Sequence, residues 1–363
     1  MKQLNAKKYT LLALSAILLY VLYNFSIYTL YTSKIFDRKD GKYIGDIARV
    51  GYQVDALFPR KLQYTLPKRH LFKEAYSEKL PIDVLTIGDS FSNAATGGLN
   101  PHYQDYIASY YNKSVLNIVD TRGDRLHMFE PIIALYHKGW FQKHKVKYVI
   151  IQSVERFCVM RFAKSFDFNT TTIDIKKDIR SPRSKDSFIP PISFISTANY
   201  KYLYYTIRSS KKVHFHIDVD KLQLNKKLFT PKNFQDKLLI HHEDILSIPY
   251  NTKQNIQKLN ANFNRLAVML KKEGITLIFM PTVDKYDLYY PYIKNNPYPK
   301  NYFFDYLRVL PKEYSFIDTK KILEPLLQQG VKNLYYPDDT HWSYKAIDAI
   351  MRSDIFKKIF TDR

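Results

Sequence analysis

Five short runs of apolar, largely β-branched residues punctuate the chain, at 83–87, 114–119, 146–151, 275–280 and 314–317. Each ends at a glycine, proline or polar residue, the pattern of a buried strand. Helical spacing fills the intervals at 103–111, 129–137, 251–273, 301–310, 322–329 and 344–359. In 251–273, Ile256, Leu259, Phe263, Leu266 and Leu270 recur at three- and four-residue steps, and Gly274 ends the run. Strands alternating with helices predict an α/β fold in three layers: a mainly parallel sheet with helices on both faces.

The N-terminus follows another rule. No charged residue occurs from Tyr9 to Tyr31, and Lys2, Lys7 and Lys8 precede the run. As a helix, its 23 residues span about 35 Å, enough for a bilayer core. The run has no small-residue cleavage site and is longer than a signal-peptide core, which predicts an uncleaved, single-pass anchor. The basic residues before it place the N-terminus inside and the remainder outside the cytoplasm. Residues 1–34 are therefore read as anchor and 35–80 as a polar, basic connector. Residues 81–156 and 245–363 form the main domain. Residues 157–244 stand apart as a basic insertion with a small β-rich cap. Between 157 and 240 there are 16 Lys/Arg against 7 Asp/Glu, and Pro182, Pro190 and Pro191 interrupt the pattern.

Charge narrows the partners. The formal net charge is +22, which favours anionic surfaces. No zinc-finger spacing, RNA-binding aromatic signature or basic helix accompanies it, so a nucleic-acid binder is the weakest class. An anionic membrane or cell-wall polymer suits an exported chain better. The single cysteine, Cys158, excludes an internal disulfide. His214 and His216 alternate in the run 213–217, and His241, His242, Glu243 and Asp244 form a second cluster. His214 and His216 on one face of a strand would be metal-compatible. Without a further ligand at a telling spacing, neither a metal nor a cofactor is assigned.

The candidate chemistry begins at Asp83-Val84-Leu85-Thr86-Ile87-Gly88-Asp89-Ser90. A strand that stops at a glycine and delivers a serine sets the hydroxyl at the carboxyl edge of the sheet, where open α/β folds bind ligands. Ser92, Asn93 and two alanines after it suit a helix start. At the other end, Tyr335-Tyr336-Pro337-Asp338-Asp339-Thr340-His341-Trp342-Ser343 places a histidine just after an acidic pair. Nucleophile, base and orienting carboxylate are then all present. Either Asp338 or Asp339 could fold back to the ring.

These two blocks resemble the first and last blocks of the SGNH, or GDSL-type, hydrolase superfamily. Asp339-Thr340-His341-Trp342 is similar to the alginate O-acetylation branch, as is Pro281-Thr282-Val283-Asp284-Lys285-Tyr286. Here the Asp-His motif follows the serine, and an anchor precedes it, as in teichoic-acid D-alanine transfer proteins. The Gly-x-Asn-Asp block is absent. The resemblance implies Ser90 as nucleophile, His341 as base and Asp339 as orienter. It also implies the backbone N–H groups of Ser90 and Gly123 as oxyanion hole; the alternative for Gly123 is a plain turn. Arg122, Arg156 and Lys285 become substrate-binding candidates, with a structural ion pair as the alternative for Arg156. The implied activity is an extracytoplasmic acyltransferase or esterase for O-acyl groups, acetyl above all, on a cell-surface glycan. Such proteins use an acyl donor and work beside a membrane-embedded acyltransferase. The competing expectation is a silent glycan-binding or scaffolding protein of the cell envelope.

Overall fold

The computed structural model describes residues 2–36, 41–71, 81–121, 127–169, 173–180 and 192–361. Six strands form the central sheet: β1 (Val84–Ile87), β2 (Val115–Asp120), β3 (Tyr148–Val154), β4 (Ile179–Arg180), β5 (Thr276–Thr282) and β6 (Ser315–Phe316). Their order is β6-β5-β3-β1-β2-β4. All neighbours are parallel except β4, which pairs antiparallel with the end of β2. Every residue of β1 and β3 is buried, so both sheet faces are covered. The chain goes from β1 outward to β2, then returns to β3 on the other side. Ser90 follows β1 and so lies where the strand order reverses, the usual ligand crevice of open α/β sheets.

The principal helices are α1 (Lys2–Ile27), α2 (Asp46–Val50), α3 (Tyr103–Tyr111), α4 (Phe129–His137), α5 (Glu155–Phe162), α6 (Thr197–Ser209), α7 (Lys253–Lys271), α8 (Lys285–Tyr289), α9 (Phe303–Arg308), α10 (Thr319–Gln328), α11 (Tyr344–Met351) and α12 (Asp354–Thr361). All five apolar positions read for α7 are buried. Thr252 caps α7 by accepting from the Asn255 amide at 3.2 Å. Phe263 then stacks on Phe279 of β5 at 3.9 Å, and Phe129 and Phe162 pack around it. The expected helix at 344–359 is two helices, α11 and α12, separated at Arg352 and Ser353.

Helix α1 and its continuation to Phe36 form, among the described residues, the one helix long and apolar enough to cross a membrane. Most of its large side chains, such as Leu11, Leu18 and Phe25, are exposed.

The described residues of 157–244 are divided among several neighbours. The start of the interval belongs to α5, in the main core, and β4 extends the central sheet. Helix α6 packs on the end of α1. The β-rich part is one antiparallel hairpin, Val219–Gln223 with Lys237–His241. Through Phe215, Val219 and Leu239 it packs on Ile47 and Ala48 of α2. The run 213–217 is not a strand; His214 makes only an isolated bridge to Asp220. His216 turns away, its ring 4.5 Å from Tyr205. Pro182, Pro190 and Pro191 lie outside the described residues.

Candidate active site

Strand β1 delivers Ser90 through a crowded turn. A Cβ on Gly88 would lie 2.1 Å from Ser92 Oγ and 2.5 Å from Gln152 Oε1, so only glycine fits. Asp89 then locks the turn to the end of β3. Its carboxylate accepts from the Val154 amide at 2.7 Å, the Phe91 amide at 3.2 Å and Arg161 at 2.6 Å. Burial opposes ionisation of Asp89, yet the Arg161 guanidinium holds its carboxyl below the usual range.

The helix expected from Ser92 does not form. Ser92 and Asn93 donate back to the Asp89 carbonyl, Ala95 donates to Ser90, and Ala94 has φ +53°. Ser92 Oγ also donates to Gln152 Oε1 at 2.9 Å across the sheet. That side-chain bond stabilises a chain of tight turns over a helix start. The next helix is α3, at Tyr103.

The last loop brings His341 to this turn. His341 Nε2 is 2.7 Å from Ser90 Oγ, and Nδ1 is 2.6 Å from Asp339 Oδ1. Burial disfavours imidazolium, but the Asp339 carboxylate reverses the effect and raises the His341 pKa. Asp339 itself is held well below the carboxylate range against its own burial, by His341 and Arg60. Phe91 lies 4.5 Å from the imidazole ring, and Trp342 meets Phe91 edge-on at 5.3 Å. The tryptophan therefore supports the histidine through a phenylalanine.

The two adjacent aspartates are separated by their partners. Asp338 turns away from the ring, and its carboxylate accepts from the Gly45 amide at 2.8 Å and the Phe58 amide at 3.0 Å. Arg60 joins the pair, donating to Asp338 at 2.9 Å and to Asp339 at 2.5 Å. Its guanidinium also lies 3.9 Å from the Tyr336 ring centre. Asp338 thus fastens the connector, and Asp339 faces the histidine.

The connector supplies residues that no sequence motif marks. Asp46, at the start of α2, accepts from the Thr340 amide at 2.8 Å. Its other oxygen is 4.0 Å from His341 Nδ1. Burial and the neighbouring Asp339 charge push the Asp46 carboxyl up to about 6. Gly45 is pressed against the same loop; a Cβ there would lie 1.9 Å from the Asp338 carbonyl oxygen. Arg60 and Asp46 carry no local signal because their partners lie 278 and 294 residues further along the chain.

Two candidates for substrate contact are occupied elsewhere. Lys285 is buried, and its ammonium donates to the carbonyls of Tyr336, Pro337 and Asp339 at 2.8, 3.3 and 3.0 Å. It splints the loop that carries the histidine, and burial brings its pKa down to about 8. Arg156 is buried between Asp244 and Asp284, at 3.1 and 2.8 Å, an internal ion-pair network. Arg122 and Gly123 lie outside the described residues.

A nucleophilic oxygen, a base and a carboxylate in a hydrogen-bonded line can take a proton from Ser90 and return it to a leaving group. No protein-family model, no curated protein and no solved structure matches this chain.

Proposed function

We propose that the protein is a membrane-anchored serine acyltransferase or esterase of the SGNH type, acting on O-acyl groups of a cell-surface glycan. The observation that carries the reading is the line from Ser90 Oγ to His341 Nε2 at 2.7 Å and from Nδ1 to Asp339 at 2.6 Å. Ser90 Oγ attacks the carbonyl carbon of an acyl donor while His341 Nε2 accepts the hydroxyl proton. The negative charge that develops on the carbonyl oxygen is met by turn amides, Ser90 N–H first among them. Collapse expels the donor's alcohol, which takes the proton from His341, and leaves an acyl ester on Ser90. An incoming hydroxyl then repeats the sequence in reverse, losing its proton to His341 and releasing Ser90. Water as acceptor gives an esterase, and a sugar hydroxyl gives a transferase.

Helix α1 supports anchoring, and the lysines before it support a domain held outside the cytoplasm, where a polytopic acyltransferase could supply the acyl group. The basic surface suits an anionic envelope polymer.

The test is covalent labelling of the detergent-solubilised chain by a fluorophosphonate, together with hydrolysis of p-nitrophenyl acetate. Both should require Ser90 and vanish in Ser90→Ala. A chain that neither labels nor turns over, yet binds acidic glycan equally well with Ser90→Ala, would support the scaffolding alternative.

A further inference from the structure

The molecule carries a second cluster of ionisable side chains, outside the candidate active site. Asp220, on the first strand of the hairpin, is fully buried. It is approached by two imidazoles: His214 Nδ1 is 3.0 Å from Oδ1, and His242 Nδ1 is 2.6 Å from Oδ2. The two rings lie 4.0 Å apart, tilted by 33°. One ligand atom from each of His214, Asp220 and His242 falls within 4.8 Å of the others. Tyr298 Oη donates to Asp220 Oδ1 at 2.7 Å, the kind of outer hydrogen bond that fixes a ligating carboxylate.

We infer that His214, Asp220 and His242 form a binding site for one divalent metal ion of the zinc class. Ligands about 2.1 Å from a metal are roughly 3.0–3.5 Å apart, and the two imidazole contacts to Asp220, at 3.0 and 2.6 Å, lie near that spacing. Two nitrogens and one carboxylate oxygen favour Zn²⁺, Co²⁺ or Ni²⁺ over Mg²⁺ or Ca²⁺. His214 is the more exposed of the two imidazoles, leaving a route for the ion and for a completing water. The ion would tie together the segment before the hairpin, its first strand, the turn that follows its second strand and, through Tyr298, the main domain. Its role is structural: the hairpin packs on α2, which carries Asp46.

Full-length protein in detergent is stripped with chelator and titrated with Zn²⁺, and with Co²⁺ for its visible spectrum. One equivalent should bind and raise the melting temperature by on the order of 3 °C at a hundredfold excess over Kd. His214→Ala and His242→Ala should each weaken binding at least tenfold while keeping the fold by circular dichroism. No binding at micromolar metal overturns the proposal. So does binding unchanged in both variants, or binding abolished by Asp46→Asn instead, which would move the ion to the triad.

A separate observation concerns α6. Tyr200, Leu203, Tyr204 and Ile207 recur at i, i+3, i+4 and i+7, and all are exposed, between 42% and 55%. The same helix is bound to the end of α1. Asn199 bonds with Asn24 and Thr32, and Tyr202 stacks on Tyr31 at 4.3 Å. Arg208 and the exposed Lys201, Lys211 and Lys212 lie on or just beyond it. An apolar stripe flanked by cations, fixed to the end of a spanning helix, suits the headgroup–acyl boundary of a bilayer. We infer that α6 lies in the interface of the bilayer that α1 crosses, an inference resting on the anchor reading above. A nitroxide placed by Ile207→Cys in lipid nanodiscs should collide with oxygen more than with a water-soluble nickel chelate, with the reverse at exposed Lys258→Cys. Failure to enter nanodiscs would refute the anchor. Entry with Ile207 open to the nickel chelate, or shielded from both probes by a second copy, would refute the interfacial placement alone.

Discussion

Replacing Asp339 by asparagine is the sharpest perturbation of the site. In the native loop Asp339 Oδ2 accepts from Arg60 and from Thr96 Oγ1 at 3.2 Å, while Oδ1 accepts from the His341 amide at 3.1 Å and faces Nδ1. Arg60 can only donate, so it selects the oxygen of an asparagine for the Oδ2 position. The amide nitrogen is then forced into the Oδ1 position, against the Nδ1–H and the backbone N–H of His341. The ring answers by moving its proton to Nε2, which removes the acceptor that Ser90 needs. In the serine-protease triad the equivalent change costs up to ~10⁴ in turnover, or about 5.5 kcal/mol of barrier. A comparable loss of single-turnover acylation by p-nitrophenyl acetate is expected. Asp338→Asn removes one partner from a buried ion pair, at a cost of roughly 3 kcal/mol in stability. Its folded molecules should nevertheless acylate within about tenfold of wild type, since Asp339 and Arg60 still pair. Thermal melts run beside the kinetics separate the two effects. Abolished turnover in folded Asp338→Asn, with near-normal turnover in Asp339→Asn, would refute the assignment.

Three further outcomes follow from the surroundings of the histidine. Lys285→Met strips the donor from three loop carbonyls and should cost roughly 3 kcal/mol in stability, checked by thermal unfolding, with kcat falling more than KM rises. His341 must be neutral to act as base, and its pKa is raised, so kcat/KM should fall as pH drops through a value above the ordinary ~6.5. Asp46→Asn removes a carboxylate 4.0 Å from Nδ1 and should shift that acid limb to lower pH by roughly 0.7 unit, as read from a pH–rate profile.

What could be read from the chain was what is local. The four inner strands β1, β2, β3 and β5 announce themselves because they are buried almost throughout and so need largely apolar runs, whereas the short edge strand β6 is half-buried. Ser90 and His341 are legible for the same reason: each follows a short block whose composition fixes the turn. Sequence alone does not separate Asp339 from Asp338, and the distances favour Asp339 because Asp338 is occupied by two connector amides. The residues after Ser90 have the composition of a helix start yet form tight turns, because Gln152, which holds Ser92, comes from another strand. Resemblance offers Lys285 and Arg156 as substrate contacts, with an ion pair as the alternative for Arg156, and the internal acceptors each one meets are not visible in the sequence. Their burial is a property of the assembled sheet, which residue type cannot reveal.

The connector proves to be part of the site, and this has a consequence for how the protein can be cut. Residues 41–71 come soon after the long apolar helix, and Gly45, Asp46, Phe58 and Arg60 all bond to the loop that holds His341. Phe36, at the end of the anchor helix, touches Tyr52, just after α2, at 5.8 Å. The ten steps from Phe36 to Asp46 can span at most about 36 Å. If the proposed function holds, Ser90 would work within a few tens of ångströms of the end of α1, which would suit an acyl donor delivered from a bilayer. A chain beginning at residue 81 would keep Ser90, Asp339 and His341 but lose Arg60, leaving Asp338 and Asp339 buried side by side without their shared cation. Removing one partner of a buried pair costs about 3–5 kcal/mol, and here two carboxylates lose the same guanidinium. Such a chain should fail to label with fluorophosphonate, whereas one beginning at residue 41 should label as the full chain does. Equal labelling of both would mean that the Asp-His loop holds its geometry unaided and that the connector only tethers.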